Sequence, residues 1–584
     1  MNNQRVLITI LHRPSRAPKG LPGRIRARRA TWRERISSLS PRIKMMLKDG
    51  CPLLWKSGPP PPNTIVQHQR KHDPNLDEWV RAGLQEGIIE RVSPSFAKAV
   101  SPVFTVPKPD GGFRVIVDLR QVNQYQRVPK FKLEGIKEAR HLIKRGCFMT
   151  RLDVKDAFFS FFNDRRALPY LCIKIKNQFY THRSLTMGSS ASPYLFNKLT
   201  RPIIATLRGD GICVIAYVDD ILIISATREA CLTHTDKTVT LFKDLGFQIN
   251  TKKSQLQPVQ EIKFLGLIIR TKGDPTLGLS ATMRSKIAHE LERMTRRTVK
   301  AIHVARICGL ANFVSTVVLG AKTLSRRLYD LVSSAKSWHS PVYLEEPHKR
   351  DAIFLAKLIR SDPRRPLNAQ IEDAQLICDA SPSGMGAVCQ NREGKILMEI
   401  SKTWKKNEKR HINVLELLTI LKALKRLPDT IRVIRVKSDN TTALSYIRLL
   451  SGRVIALHNI ARQIFKICLR RGLTLIPEYI QGKKNTHADA LSRLRQLPVT
   501  TQLKRMIGKD HLLFPTPNAI RYALIVPSPK TILTPDWKAH FLRPILMKDC
   551  SSWITIPTAP LQPHKEWPAY IKKSKRLIAF FFEL

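Results

Sequence analysis

Ile212-Cys213-Val214-Ile215-Ala216-Tyr217-Val218-Asp219-Asp220-Ile221-Leu222-Ile223-Ile224 is a run of two apolar strands interrupted by a short polar tip. Two adjacent carboxylates at the end of an otherwise buried hairpin repel, and each raises the other's pKa unless cations neutralise them. Mg²⁺, which prefers hard oxygen ligands, is the natural counter-charge. A solvated Asp-Asp turn would read the same way in isolation, so the neighbouring sequence has to decide.

Upstream, Leu152-Asp153-Val154-Lys155-Asp156-Ala157-Phe158-Phe159 puts a further carboxylate at a strand end. Carboxylates from two distant strand ends are what a two-metal phosphoryl-transfer site needs. Earlier still, Ser101 to Val117 reads strand, Pro107-Lys108-Pro109-Asp110-Gly111-Gly112 turn, strand, a hairpin carrying basic residues. Downstream come Ser184-Leu185-Thr186-Met187-Gly188-Ser189-Ser190-Ala191-Ser192-Pro193, then Leu245-Gly246-Phe247, Lys252-Lys253-Ser254 and Phe264-Leu265-Gly266. In this order the set resembles reverse transcriptases. The resemblance implies that Asp153, Asp219 and Asp220 hold the metals. It implies that Lys108 and Arg114 contact phosphates and that Lys253 protonates pyrophosphate. Asp156, Met187 and Gly188 fall in segments that meet the substrate. Phe158 takes the position whose ring blocks a ribose 2′-hydroxyl, or else is a core aromatic. Thr186-Met187-Gly188 departs from the usual Pro-Gln-Gly or Pro-Phe-Gly, so the glutamine contact of retroviral enzymes cannot operate.

A second carboxylate set begins at Asp379 in Leu376-Ile377-Cys378-Asp379-Ala380-Ser381, followed by Gly384-Met385-Gly386-Ala387-Val388. Glu416 sits in an aliphatic helix, Asp439 follows the strand Ile431 to Val436, and Asp489 lies at a helix start in His487-Ala488-Asp489-Ala490-Leu491. Each alone reads as a cap or a surface charge. Together, in the order Asp, Glu, Asp, Asp with strand-helix-strand-helix context, they resemble the RNase H fold, which implies two metals acting on a scissile RNA phosphate. His487 would then assist product release, or would be a loop histidine without a role.

The bulk numbers agree with a nucleic-acid partner. The 584 residues carry 100 Lys plus Arg against 45 Asp plus Glu, a formal +55, and such a surface repels itself unless a polyanion lies on it. A ribosomal or chromatin-like binder would share that charge. The ten cysteines show no CxxC pair or zinc-knuckle spacing, so reduced thiols and an intracellular location, nucleus or cytoplasm, are expected. No apolar run approaches the roughly 18 residues of a membrane span.

The expected fold is multidomain α+β and α/β, a right-hand polymerase (fingers, palm, thumb) followed by an RNase H-like domain. Residues 1–63 form a basic, disordered arm ending in Pro59-Pro60-Pro61-Pro62. Residues 64–275 hold fingers and palm, 276–370 a helical thumb and connection, 371–495 the nuclease, and 496–584 a tail without readable period. The stretch Val6 to Leu11, followed by arginines, reads as a transit peptide or as a nucleic-acid-binding or nuclear-targeting arm.

Phe131-Lys132-Leu133-Glu134-Gly135-Ile136, His411-Ile412-Asn413-Val414-Leu415-Glu416-Leu417 and Ser438-Asp439-Asn440-Thr441-Thr442-Ala443 resemble the DIRS group of retrotransposons. That resemblance implies an RNA template, a DNA primer, an RNA–DNA hybrid and dNTPs as partners. It implies Mg²⁺ (with Mn²⁺ as the alternative) in both sites. No integrase, tyrosine-recombinase, aspartic-protease or gag-type zinc-knuckle signature is present, so a separately encoded recombinase and a gag-like protein are expected. Two other readings compete: a decayed copy that binds nucleic acid without catalysis, and a hepadnavirus- or caulimovirus-type polymerase, for which no priming domain or protease is evident.

Overall fold

The computed structural model describes residues 21–493 apart from residues 37, 66–72, 109–110, 296–297, 369 and 406–409, together with the backbone of four short strands beyond them. Two compact units emerge: residues 1–280 with 364–368, and residues 281–363 with 369–584. The 276–370 block of the sequence is therefore divided between them.

The first unit starts with a departure from expectation. The arm is not wholly disordered, because α1 (Leu21–Ala27), α2 (Arg29–Arg35) and α3 (Pro41–Asp49) are helical. Ser40 caps α3, its side chain accepting from the Ile43 N–H, with Pro41 at the first turn. The physical reason for order is Trp32: it is fully buried, lies 6.4 Å from the Phe161 ring and 6.2 Å from Phe247, and donates its indole N–H to the Leu245 carbonyl at 2.9 Å. Basic composition hid one well-placed aromatic. Val6 to Leu11 and the arginines just after it lie outside the described residues.

α4 (Pro74–Gln85) leads to β1 (Ile89–Val92), and the basic hairpin forms as β2 (Val103–Pro107) and β3 (Phe113–Val117). Its register pairs Val106 with Arg114. After α5 (Arg120–Gln124) and α6 (Ile136–Leu142) the chain enters β4 (Phe148–Asp153). β5 (Cys172–Ile175) and β6 (Gln178–His182) join β1 in an antiparallel sheet. Then follow α7 (Ser192–Gly209), β7 (Cys213–Tyr217), β8 (Asp220–Ser225), α8 (Arg228–Asp244) and β9 (Gln255–Val259).

The sheet β7-β8-β4-β9 is the centre of this unit. Side chains alternate across it. Leu152, Val154, Val214, Ile221 and Ile223 share a core with Trp32, Leu199, Ile203 and Phe242, which leaves Asp153 and Asp220 on the other face. A smaller antiparallel sheet of β10 (Glu261–Phe264), β11 (Leu267–Arg270) and β12 (Thr276–Leu279) closes the unit.

The second unit opens with α9 (Ala281–Thr295), β13 (Val299–Lys300), α10 (Ala301–Val314), α11 (Ala321–Ser334), β14 (Pro341–Val342) and α12 (Glu346–Arg360). The chain then returns to the first unit for β15 (Arg365–Pro366), which pairs with β12. Next come β16 (Ala374–Ala380), β17 (Gly384–Asn391) and β18 (Ile396–Thr403), an antiparallel meander. α13 (Ile412–Leu424), β19 (Val433–Ser438), α14 (Thr441–Leu449), α15 (Ile455–Arg471), β20 (Thr474–Tyr479) and α16 (Thr486–Arg493) complete the fold. β19 pairs parallel to both β16 and β20, so the strand order is β18-β17-β16-β19-β20. The aliphatic α13 packs on this sheet because nearly every side is buried, with Leu417, Ile420, Ala423 and Leu424 at zero exposure. Four later strands, Leu524–Ile525, Thr531–Pro535, Ser552–Pro557 and Arg576–Phe581, form an antiparallel sheet in the tail. Nothing in that tail's sequence period announced it.

Candidate active sites

In the sheet β7-β8-β4-β9 Asp153 stands opposite Asp220 across β4 and β8, and Tyr217 pairs with Asp220 across the hairpin. The turn between is tight, with Val218 at φ +56°, a region a β-branched residue rarely enters. Such a conformation costs on the order of 1–3 kcal/mol and persists only where packing enforces it. Here the Val218 side chain packs against the main core, and the Asp219 carbonyl accepts from the Val154 N–H at 3.0 Å. The strained turn is thus sewn to the strand that carries Asp153. From the other side the Asp153 N–H donates to Ser254 Oγ at 3.0 Å, and its carbonyl accepts from Asn250 N at 2.8 Å.

Desolvation in the cleft raises the Asp219 carboxyl above its ordinary range, and Asp153 adds to the rise while Lys253 opposes it. Asp220 is also raised, first by desolvation and then by Asp219 and Asp153, with Arg151 opposing. The Arg151 guanidinium reaches to 4.0 Å from Asp220 and donates to the Lys253 carbonyl at 2.6 Å. Three acids and two bases therefore sense one another here, Lys253 among them.

Lys108 and Arg114 are exposed on the hairpin. Phe158 packs edge-on to Phe196 with ring centroids 5.3 Å apart, so its ring is half-buried in the core and half-available. Asp156 adopts φ +49° ahead of the short turn that carries Phe158. Met187 is 42 % exposed. Gly188 has φ +103°, and a Cβ there would lie 2.6 Å from the Val117 carbonyl, so only glycine lets the loop close on the end of β3. Asn123, not anticipated, braces the same loop: it donates to the Gly188 carbonyl at 2.9 Å and accepts from Ser190 N at 2.9 Å.

In the second unit Asp379, Glu416 and Asp439 each offer a carboxylate oxygen within 4.8 Å of the others. Among the described residues no other three acidic or metal-ligating side chains close that far; Asp153, Asp219 and Asp220 are neighbours by register and charge but stand further apart. Parallel pairing of β16 with β19 brings Asp379 and Asp439 to the same sheet end, and α13 lays Glu416 against them. Burial pushes Glu416 up to about 8, with Asp379 and Asp439 adding repulsion. Burial likewise pushes Asp379 up to about 6, with Asp489 and Asp439 contributing. Glu416 Oε2 is buried and has no hydrogen-bond partner. An orphaned carboxylate oxygen among like charges fits a hard divalent cation.

Asp489 enters from α16, where it accepts from Arg493 Nε at 2.7 Å. That helix sits so close to β17 that a Cβ on Gly386 would fall 2.0 Å from the Ala488 carbonyl, which explains Gly384-Met385-Gly386. Two residues outside the expected set complete the pocket: Ser492 Oγ donates to Asp379 Oδ2 at 2.7 Å and Asn485 Nδ2 to Oδ1 at 3.3 Å. A polar residue near a helix end reads in sequence as a cap, so neither gave a signal. His487 is paired with Glu399, Nε2 to Oε1 at 2.7 Å.

Residues 106–269 match the family model described as reverse transcriptase (RNA-dependent DNA polymerase), and a domain of that class lies in the first unit. The chain is 29% identical over 237 residues to a Pro-Pol polyprotein of simian foamy virus type 3, and 26% identical over 228 residues to a Gag-Pol polyprotein of Rous sarcoma virus. These matches cover 40% and 38% of this chain, but only 19% and 14% of those polyproteins. A Tf2-3 transposon polyprotein of Schizosaccharomyces pombe matches at 23% over 436 residues, 72% of this chain and 30% of that protein. The chain thus spans about a fifth of the foamy-virus relative and under a third of the transposon one. Among solved structures, a foamy viral protease-reverse transcriptase in complex with an RNA/DNA hybrid is similar at 18% identity and a TM-score of 0.48, covering 90% of this chain and 71% of that one. Among the described residues no helix is long and apolar enough to cross a membrane.

Proposed function

We propose that the chain is an RNA-directed DNA polymerase with ribonuclease H activity, encoded by a DIRS-like retrotransposon. The observation that supports it most is the pairing of two separate carboxylate sets, Asp153, Asp219 and Asp220 in one unit and Asp379, Glu416 and Asp439 in the other. The strand order β18-β17-β16-β19-β20 with α13 and α16 against it supports an RNase H-like reading of residues 371–495. Fingers and palm then take residues 64–275, with thumb and connection in the helices that follow.

In the palm, Asp153, Asp219 and Asp220 would hold Mg²⁺ (or Mn²⁺). In the second unit Asp379, Glu416, Asp439 and Asp489 would do so, the ion supplying Lewis-acid stabilisation of phosphoryl oxygens when bound. Lys108 and Arg114 on the hairpin bind triphosphate oxygens, and Lys253, close to Asp219, delivers a proton to the departing pyrophosphate. Phe158 limits the space at the sugar and so favours dNTPs. Met187 and Gly188 lie along the template and nucleotide. Ser492 and Asn485 hold Asp379 in one rotamer. The natural partners are an RNA template, a DNA primer and their hybrid, with a recombinase and a gag-like protein made separately, in the nucleus or cytoplasm.

Primer extension on an RNA template with dNTPs and Mg²⁺, wild type against Asp219→Asn, tests the polymerase. Extension by the wild type alone supports it. No extension by either, with salt-sensitive hybrid binding retained, supports the decayed, non-catalytic copy instead.

A further inference from the structure

α1 to α3 lie outside the segment that the reverse transcriptase model matches, and residues 21–49 carry nine Lys and Arg against Glu34 and Asp49. Their placement is fixed. Trp32 buries itself in the core that also holds Leu152, Val154, Ile221 and Ile223, on the face of the palm sheet opposite Asp153 and Asp220. Phe161 turns into that core beside Trp32, and Phe162, next in the chain, is left at the surface between two guanidinium groups. Arg26 lies 5.6 Å and Arg183 5.4 Å from its ring centroid.

Arg29 and Arg165, both near enough for their charge to act on Arg26, complete a group of four cations. Arg29 Nε donates to the Arg26 carbonyl at 3.1 Å, which ties it to α1. Arg183 leans on Glu90, Nε to Oε2 at 3.3 Å, and Asp49 acts on Arg26 as the other local counter-charge. Burial and the fields of Arg29, Arg165 and Arg183 together hold Arg26 below its ordinary range. Four cations near two acids is a repulsive arrangement, and the fold holds two of them, Arg26 and Arg183, over one aromatic ring. Guanidinium groups held in fixed orientation match phosphate oxygens in pairs.

We propose that Arg26, Arg29, Arg165 and Arg183 form a second nucleic-acid contact, on the helix-bearing side of the palm, that grips the phosphate backbone of a template strand beyond the duplex at the carboxylates. This rests on the polymerase reading of the first unit. Phosphates are the anions that a surface of this sign and a template-copying chain share. An acidic protein would be the competing occupant.

The test uses the full chain and two probes: a primer annealed to an RNA template with a long single-stranded 5′ extension, and a blunt hybrid of the same duplex length. Binding is measured across a salt series for wild type, Arg29→Glu/Arg165→Glu and the charge-keeping Arg29→Lys/Arg165→Lys. Each lost phosphate contact on a single strand lowers the slope of log K against log salt by about 0.7. The double reversal is expected to lower it by about 1.4, weakening the extended probe at least tenfold while sparing the blunt one, and the lysine pair to stay near wild type. A DNA extension in place of RNA is expected to behave alike, because only phosphates are read.

Equal weakening of both probes would overturn the proposal in favour of a general charge effect. An unchanged slope would assign the patch to another partner, an acidic protein included. Extension of a short template that fills only the carboxylate face is expected to persist in the reversal variant; its loss there would overturn the separation of the two sites. If Asp219→Asn fails to stop extension, the polymerase reading falls while the slope measurement still judges the patch.

Discussion

Replacing Glu416 by Gln isolates the electrostatic cost built into the second unit. Glu416 is 4% and Asp379 6% exposed, and their carboxyls are pushed up to about 8 and about 6. A carboxyl raised in the folded state contributes stability that is whole below its unfolded value and is lost as pH rises to its folded value. For Glu416 the window runs from the ordinary 4.5 to about 8; for Asp379 it runs from 3.8 to about 6. At about 1.4 kcal/mol per tenfold change in proton affinity, the Glu416 displacement is worth roughly 5 kcal/mol. Part of that is repulsion shared with Asp379, which relaxes when Asp379 takes a proton, so about 2–4 kcal/mol is the expected net effect.

The measurement is hydrogen exchange of the β16 and β17 amides in the full chain, with a chelator present, from pH 5 to pH 8. After correction for intrinsic exchange, wild-type protection should fall steadily across that range, and Glu416→Gln should flatten most of the fall. Adding Mg²⁺ at pH 8 should restore wild-type protection and do much less for the variant. A wild-type profile that is level or rises with pH, or an equal fall in the variant, would refute the reasoning. In the cleavage assay the same variant should lose RNA hydrolysis in a hybrid while extending primers normally.

Asp219→Asn should reduce primer extension by about 10³-fold or more, the equivalent of several kcal/mol of lost charge stabilisation, with RNA cleavage in a preformed hybrid unchanged; equal loss of both would deny two separate sites. Gly386→Ala must displace α16, whose Ala488 carbonyl leaves only 2.0 Å; overpacking of this kind costs about 1–3 kcal/mol, and cleavage should fall with Asp489 while extension persists. Trp32→Ala should destabilise the first unit by about 3–5 kcal/mol, read as a lower urea midpoint for extension activity, and a change under about 1 kcal/mol would mean that α1 and α2 are dispensable decoration. His182 is fully buried and its pKa is pushed down to about 4 by desolvation, so stability present above its ordinary 6.5 is lost as pH falls toward 4, roughly 3 kcal/mol in all. His182→Leu should remove most of that acid loss from urea unfolding curves, and an unchanged curve would place the acid sensitivity elsewhere.

The hairpin of β7 and β8 was legible because its residues are local in the chain. Asp219 and Asp220 are adjacent, and the apolar runs on either side of them announce β7 and β8 by length and composition alone. The second carboxylate set was legible for the same reason at Asp379, Glu416 and Asp439, where each acid ends or interrupts an apolar element. What stayed hidden depends on residues far apart. Trp32 finds Leu245 across 213 positions, so a basic stretch reads as disordered until its one large aromatic is seen docked. Asn123 and Gly188, 65 positions apart, look like an ordinary helix residue and a loop glycine. Ser492 and Asn485 reach Asp379 from more than a hundred positions away.

The two carboxylate sets are assembled by different devices, and the difference has consequences. In the palm a two-strand register and one strained turn do the work, and the acids stay open enough for Arg151 and Lys253 to share their field. In the second unit Asp379, Glu416 and Asp439 come from a strand end, a helix and another strand end and are gathered tightly, with an oxygen left unpartnered, while Asp489 enters from a last helix beside them. Without cations the Asp219-Asp220 hairpin is still held by its own hydrogen bonds, whereas the second set keeps its repulsion, offset only in part by hydrogen bonds from Ser492, Asn485, Ser438 and the Ala380 backbone and by the charge of Arg493. A chelator should thus loosen β16, α13 and α16 before it loosens β4, β7 and β8. That ordering follows from burial and connectivity alone, whichever divalent ion the proposed sites take.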